Sequence, residues 1–132
     1  MPSIQKTVDK IISETDYATL GHGASTTLVN CERVDLTNAT QFTLSIDCDT
    51  VPTDVTVTLQ LYPSHDGENY DDEPWNPNTD WASGWTSTAA KAQETSKEIP
   101  PLPKYMKVIA TNNHGSSDIT NFRLYATVQK MG

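Results

Sequence analysis

Apolar and polar residues alternate most regularly in two stretches at the middle of the chain. Phe42, Leu44, Ile46 and Cys48 alternate with Thr43, Ser45 and Asp47; after residues 49–54, Val55, Val57, Leu59 and Leu61 alternate with Thr56, Thr58 and Gln60. A period of two places all the apolar side chains of a run on one face of a pleated strand. The threonines on the other face favour strand over helix, because β-branching restricts χ1 in a way that suits a sheet surface. Two such runs around a connection containing Pro52 predict antiparallel neighbours. Near the end of the chain the pattern returns. Met106, Val108 and Ala110 interleave with Tyr105, Lys107, Ile109 and Thr111, then Asn112-Asn113-His114-Gly115-Ser116-Ser117 gives a strong turn signal. Phe122, Leu124, Ala126 and Val128 then alternate with Arg123, Tyr125, Thr127 and Gln129.

Elsewhere the pattern is less regular. Ile4, Val8, Ile11 and Ile12 fit a helical stripe, but Thr7, Val8, Ile11 and Ile12 are also strand formers, so residues 1–14 are expected to be an N-terminal arm or edge strand and residues 15–132 a single domain. Residues 26–31 predict a strand with Leu28, Val29 and Cys31 as its apolar surface, and the opposite phase of Val34 and Leu36 predicts a bulge or bend near Glu32-Arg33. Residues 36–40 hold a turn. Residues 63–83 form a long polar excursion, 86–93 are polar with weak helical character, and 95–99 predict a short strand before Pro100-Pro101-Leu102-Pro103. Short strands with turn punctuation and no alternating helices predict an all-β fold, an antiparallel two-sheet β-sandwich of Ig-like or jelly-roll topology.

Composition adjusts this picture. The chain of 132 residues suits one domain, and its 36% hydrophobic share suits strands with only one apolar face. A net charge of −8 opposes phosphate backbones and anionic lipid, so no nucleic acid and no membrane is expected as a partner. There is no apolar run of about twenty residues, and Met1-Pro2-Ser3-Ile4-Gln5-Lys6 lacks an apolar signal core, which predicts synthesis in a cytoplasm. Neighbouring positions on paired strands, which would allow a disulfide, are one reading of Cys31 and Cys48, the only cysteines; in a reducing cell two small buried hydrophobes are the expectation.

Candidate chemistry is sparse. His22, His65 and His114 lie in glycine-containing turns without paired metal-ligand spacing and are expected to be exposed turn residues. The acidic residues between Asp66 and Asp80 offer oxygens to calcium but lack the alternation of an EF-hand loop, so a solvated acidic loop is the simpler expectation. There is no phosphate-binding glycine loop, no GxSxG elbow and no cysteine beside an activating base; no enzyme activity, metal or cofactor is expected. The aromatic residues Tyr62, Tyr70, Trp75, Trp81 and Trp85 gather in and around the 63–83 excursion. Such rings cap a sandwich end, anchor protein interfaces, or stack on sugars as in a carbohydrate-binding module; packing is weighted first, a protein interface second and a glycan third.

Two runs carry a family resemblance. Leu59 to Asp71 resembles a strand followed by S-x-D-G-x-x-Y-D, and Pro103 to Asn112 resembles a P-x-Y-x-K-V-x-x-T-N strand, with Val34 to Thr40 upstream in the same layout. The order is similar to small β-sandwich structural proteins of tailed bacteriophages, including capsid decoration and head- or tail-associated proteins. This resemblance implies a virion protein made in the host cytoplasm, a homo-oligomer that binds the major capsid protein or other virion proteins at repeated sites, with no catalytic residues. Ile4, Val8 and Ile11 would then belong to a strap, residues 1–14, that is removable without unfolding the rest. A carbohydrate-binding module for host-surface attachment through Trp75, Trp81 or Trp85 is the alternative.

Overall fold

The alternating runs become strands whose inward apolar faces are buried at the positions the structure describes. A computed structural model describes residues 4–49, 55–71, 85–87, 93–95 and 104–131. Among these residues there is no helix, and the strands are β1 (Ile4–Ile12), β2 (Thr19–Leu20), β3 (Val34–Asp35), β4 (Ala39–Asp47), β5 (Val55–Ser64), β6 (Trp85–Ser87), β7 (Gln93–Thr95), β8 (Tyr105–Asn112), β9 (Ile119–Thr120) and β10 (Arg123–Met131). They form two four-stranded antiparallel sheets. Sheet I has the order β1-β10-β4-β7 and sheet II the order β3-β8-β5-β6; β2 and β9 make a separate two-stranded ladder.

Register follows the apolar period. In sheet I, Phe42, Leu44 and Ile46 lie opposite Val128, Ala126 and Leu124; in sheet II, Leu59 and Leu61 lie opposite Ala110 and Val108. All ten are buried and belong to one hydrophobic cluster that also takes in Leu20, Ile119 and Phe122 from the β2–β9 region. Each buried Val, Leu, Ile or Phe side chain among them contributes about 1.5–3 kcal/mol relative to exposure. Pro63, which has no N–H to give, sits in β5 opposite Met106, and among the described residues β6 pairs only with Val55–Val57, so no second described ladder asks Pro63 for a donor.

Several expectations need correction. β4 and β5 are not neighbours; they lie in different sheets, β4 between β10 and β7 and β5 between β8 and β6. The period of two specifies a buried face and leaves the hydrogen-bonding partner open. The end of β4 is instead tied to the turn before β10: Asp49 N–H donates to Thr120 O, Asn121 Nδ2 to Asp49 Oδ2, and Arg123 Nη2 to Asp49 Oδ1 at 2.8 Å. Residues 85–87, with weak helical character expected from Thr86 onward, form strand β6, and the long excursion starts after Ser64 rather than at Pro63. The strand expected at 26–31 is an irregular segment that turns at residues 28–31, where Cys31 N–H donates to Leu28 O, and this turn causes the phase change before Val34. Val29 is consequently exposed.

The N-terminal segment is an edge strand. β1 pairs with β10 from Ile4↔Met131 to Ile12↔Leu124, with a bulge between Lys10 and Ile12. The extra residue lets Ile11 and Ile12 both enter the core. Removal of residues 1–14 would therefore open the core, so the segment is not a separable strap, and Ile11, 2% exposed, is out of a partner's reach.

Candidate functional site

Two surfaces stand out, one on the outward face of sheet II and one along β1. On sheet II, Tyr62 of β5 lies opposite Lys107 of β8, and Ser64 opposite Tyr105. The chain leaving β5 folds back over this corner. Ser64, buried at 6% exposure, donates its Oγ–H to Asp66 Oδ1 and accepts from Asp66 N–H and Gly67 N–H. Asp66 Oδ1 also accepts from Glu68 N–H and Asn69 N–H, each at 2.9 Å, while Oδ2 accepts from Asn69 Nδ2. These donors, the Asn69 and Glu68 amides foremost, hold the Asp66 carboxyl well below the usual carboxylate range. Gly67 has φ +79°, and a Cβ there would run into the Arg33 side chain. Asp71 N–H donates to Pro63 O and closes the loop.

Positive charge collects over this corner. Arg33 lies 4.8 Å from the centre of the Tyr105 ring, Lys104 Nζ 5.5 Å from the same ring, and Lys107 Nζ 5.2 Å from the Tyr70 ring. Three of the chain's nine cationic residues thus converge here, although the whole carries −8. Lys107 Nζ also donates to Leu28 O at 3.1 Å, and Tyr70 Oη–H donates to Gly67 O. The arrangement fastens the loop after β5 and the 24–31 segment to β8. Ring faces occupied by cations are poor platforms for sugars. Asp66, saturated by donors of its own turn, is a poor calcium ligand.

The second surface is the free side of β1. Residues 4–10 are exposed on both faces of the strand, with Ile4 at 64%, Val8 at 61% and Met131, opposite Ile4, at 40%. Beside it a recess of about 90 Å³ lies between Lys6, Gln41, Phe42, Thr43, Thr127 and Gln129. That is well below the roughly 300–1,000 Å³ usual for small-molecule sites.

The candidates from the sequence divide accordingly. Tyr62 and Tyr70 share the sheet II corner; Ile4 and Val8 share the β1 edge. Trp85 begins β6 opposite Val57, while Trp75 and Trp81 lie outside the described residues, as do Asp72, Glu73 and Asp80. Arg33, Lys104 and Met131 were missed: no periodicity marks a residue that matters because another segment folds onto it. Among the described residues no group of three or more His, Cys, Asp or Glu is placed to hold a metal ion. His22 bonds Asp118 through its backbone N–H and its Nδ1, and His114 Nδ1 accepts from Ser116 N–H and Ser117 N–H. Both cysteines are buried thiols, and burial pushes each up to about 11, which suppresses thiolate chemistry. No protein-family model, curated protein or solved structure matched the chain.

Proposed function

We propose that this chain is a non-enzymatic virion structural protein of a tailed bacteriophage, a capsid decoration or cementing protein that binds repeated sites on the particle. In this proposal its two four-stranded sheets face each other as a β-sandwich, and its partners are the major capsid protein or other virion proteins. One observation carries the proposal: the two runs that give the family likeness are far apart in sequence yet adjacent on sheet II, with Tyr62 opposite Lys107, Ser64 opposite Tyr105, and the D-G turn over both. They form a single surface of tyrosine and cation side chains, of which the tyrosines and Arg33 are types enriched at protein interfaces. The open edge of β1 offers a second contact.

Quantitative mass spectrometry of purified parent particles tests this. The protein is expected at many copies, in a fixed ratio to the major capsid protein. Particles free of it would overturn the assignment.

A further inference from the structure

Sheet edges expose unpaired backbone groups, and among the described residues the longest edge that is exposed at every position is that of β1, along Ile4 to Lys10. At the far side of sheet I, β7 has three residues; in sheet II, β6 has three and β3 two. Beyond β3, the edge of β8 is covered by residues 23–31. β1 has nine residues and, among the described residues, no strand beside it along Ile4 to Lys10. Short edges are one of the usual protections against strand pairing, and β1 lacks it.

The direction of its free groups can be read from β10. Met131 N–H donates to Asn38 O, and Gln129 C=O accepts from Thr40 Oγ1–H, so both residues turn their backbone groups towards β4. Their partners across β1, Ile4 and Lys6, therefore face the open side, and by the alternation of an antiparallel ladder so do Val8 and Lys10. Gln5, Thr7 and Asp9 face β10. Past Lys10 the edge closes, because Ile11 C=O accepts from Glu32 N–H at 2.8 Å.

We propose that two copies of this chain join through this edge, β1 against β1 in antiparallel sense, making one continuous eight-stranded sheet across a twofold axis. Only residues whose groups point outward can bond across the seam, so even-numbered residues must meet even-numbered ones. Among such registers that pair most of Ile4 to Lys10, charge selects one. With Thr7 on the axis, Lys6 meets Val8, Ile4 meets Lys10, and Gln5 meets Asp9 of the second copy; no like charges are opposed. A shift of two residues sets Lys6 against Lys6 in one direction and Lys6 against Lys10 in the other, both destabilising. The chosen register also brings Val8 diagonal to the second Val8 and to the second Ile4, covering the side chains that are 61% and 64% exposed in one copy. Lys10 is paired with Glu14 at 2.9 Å, and Lys6 and Asp9 offset each other, so the strip carries no net charge of its own into the seam in a chain of −8. A twofold seam is closed, so pairing stops at two. None of this depends on where the protein works.

Sedimentation equilibrium of the full chain over a dilution series in the micromolar range is expected to show a monomer–dimer equilibrium. Val8→Pro removes an N–H that faces only the seam, and Pro is tolerated at a sheet edge. It should weaken dimerisation about tenfold or more and leave the circular dichroism spectrum unchanged. Thr7 on the axis would form a non-hydrogen-bonded pair with its copy, at a Cα separation of about 4.5 Å that a disulfide can span. Thr7→Cys should therefore give an oxidised covalent dimer, while Gln5→Cys should not. A monomer at all concentrations, with no Thr7→Cys crosslink, overturns the pairing. A dimer that crosslinks through Gln5→Cys overturns the register.

Discussion

The edge of β8 and the edge of β1 meet the same physical problem with different solutions. On the β8 side, the N–H groups of Val108, Ala110 and Asn112 belong to fully buried residues and have no access to water. Residues 23–31 supply acceptors one at a time: Ala24 O for Asn112, Thr26 Oγ1 for Ala110 and Cys31 Sγ for Val108. Two of the three are side-chain atoms, which is why the segment needs no regular strand. Along β1, residues 4–10 are exposed, so water satisfies the outward groups and no acceptor is built in. A buried edge has to be completed within the chain. An exposed one is free to be completed by another molecule.

The contrast is sharpest within β1 itself, between its exposed beginning and its buried end. Ile12→Ala is expected to destabilise the fold by about 2–5 kcal/mol, through lost burial and the cavity left behind. Val8→Ala should stay within about 0.5 kcal/mol in dilute solution. Urea denaturation of both variants measures this, and equal losses would break the distinction between the two halves of the strand.

A smaller effect tests the covered edge. Thr26→Val keeps the shape but leaves the buried Ala110 N–H without its acceptor, a loss of about 1 kcal/mol. Amide exchange at Ala110 should accelerate in the variant, whereas the outward amides of Lys6 and Val8 should exchange rapidly in the monomer of either protein. Unchanged protection at Ala110 would mean that the side-chain acceptor is not what closes this edge.

The smallest effect concerns acid. Because hydrogen bonds depress the Asp66 carboxyl when folded, its contribution to stability is fully present above the ordinary aspartate value near about 4 and is lost as pH falls through its lower folded value. The Glu68 and Asn69 amides should lose exchange protection in that acid range ahead of the β8 amides, and Asp66→Asn should remove this part of the pH dependence. Simultaneous loss across loop and sheet would show that the turn has no stability of its own.

Much of the fold was legible in the chain. The residues that alternate in 42–48, 55–61, 105–111 and 122–128 lie in β4, β5, β8 and β10 or at their ends, and the apolar members of their inward faces are buried wherever the structure describes them, while Ile109 on the other face of β8 is only half-buried. Asn38 and Asn121, both with positive φ, sit in turns of the kind that favour asparagine. The candidate site was less legible. Tyr62, Tyr70, Ile4 and Val8 were visible as residue types in suggestive places. Arg33 gave no local signal, since its position over Tyr105 depends on two segments meeting that are about seventy residues apart.

By itself the sequence determined which face of each regular strand is buried, because a period of two is a local property that any apolar environment will select. Pairing was decided by the tertiary structure: β4 with β10 rather than β5, Cys31 against Val108 rather than Cys48, and Ile11 in the core rather than on a strap. Backbone hydrogen bonds are the same for every residue, so they carry no record in the sequence of which strand will supply them. That choice follows from how all the buried faces fit together at once, and it leaves β1 as the strand whose second side is still open.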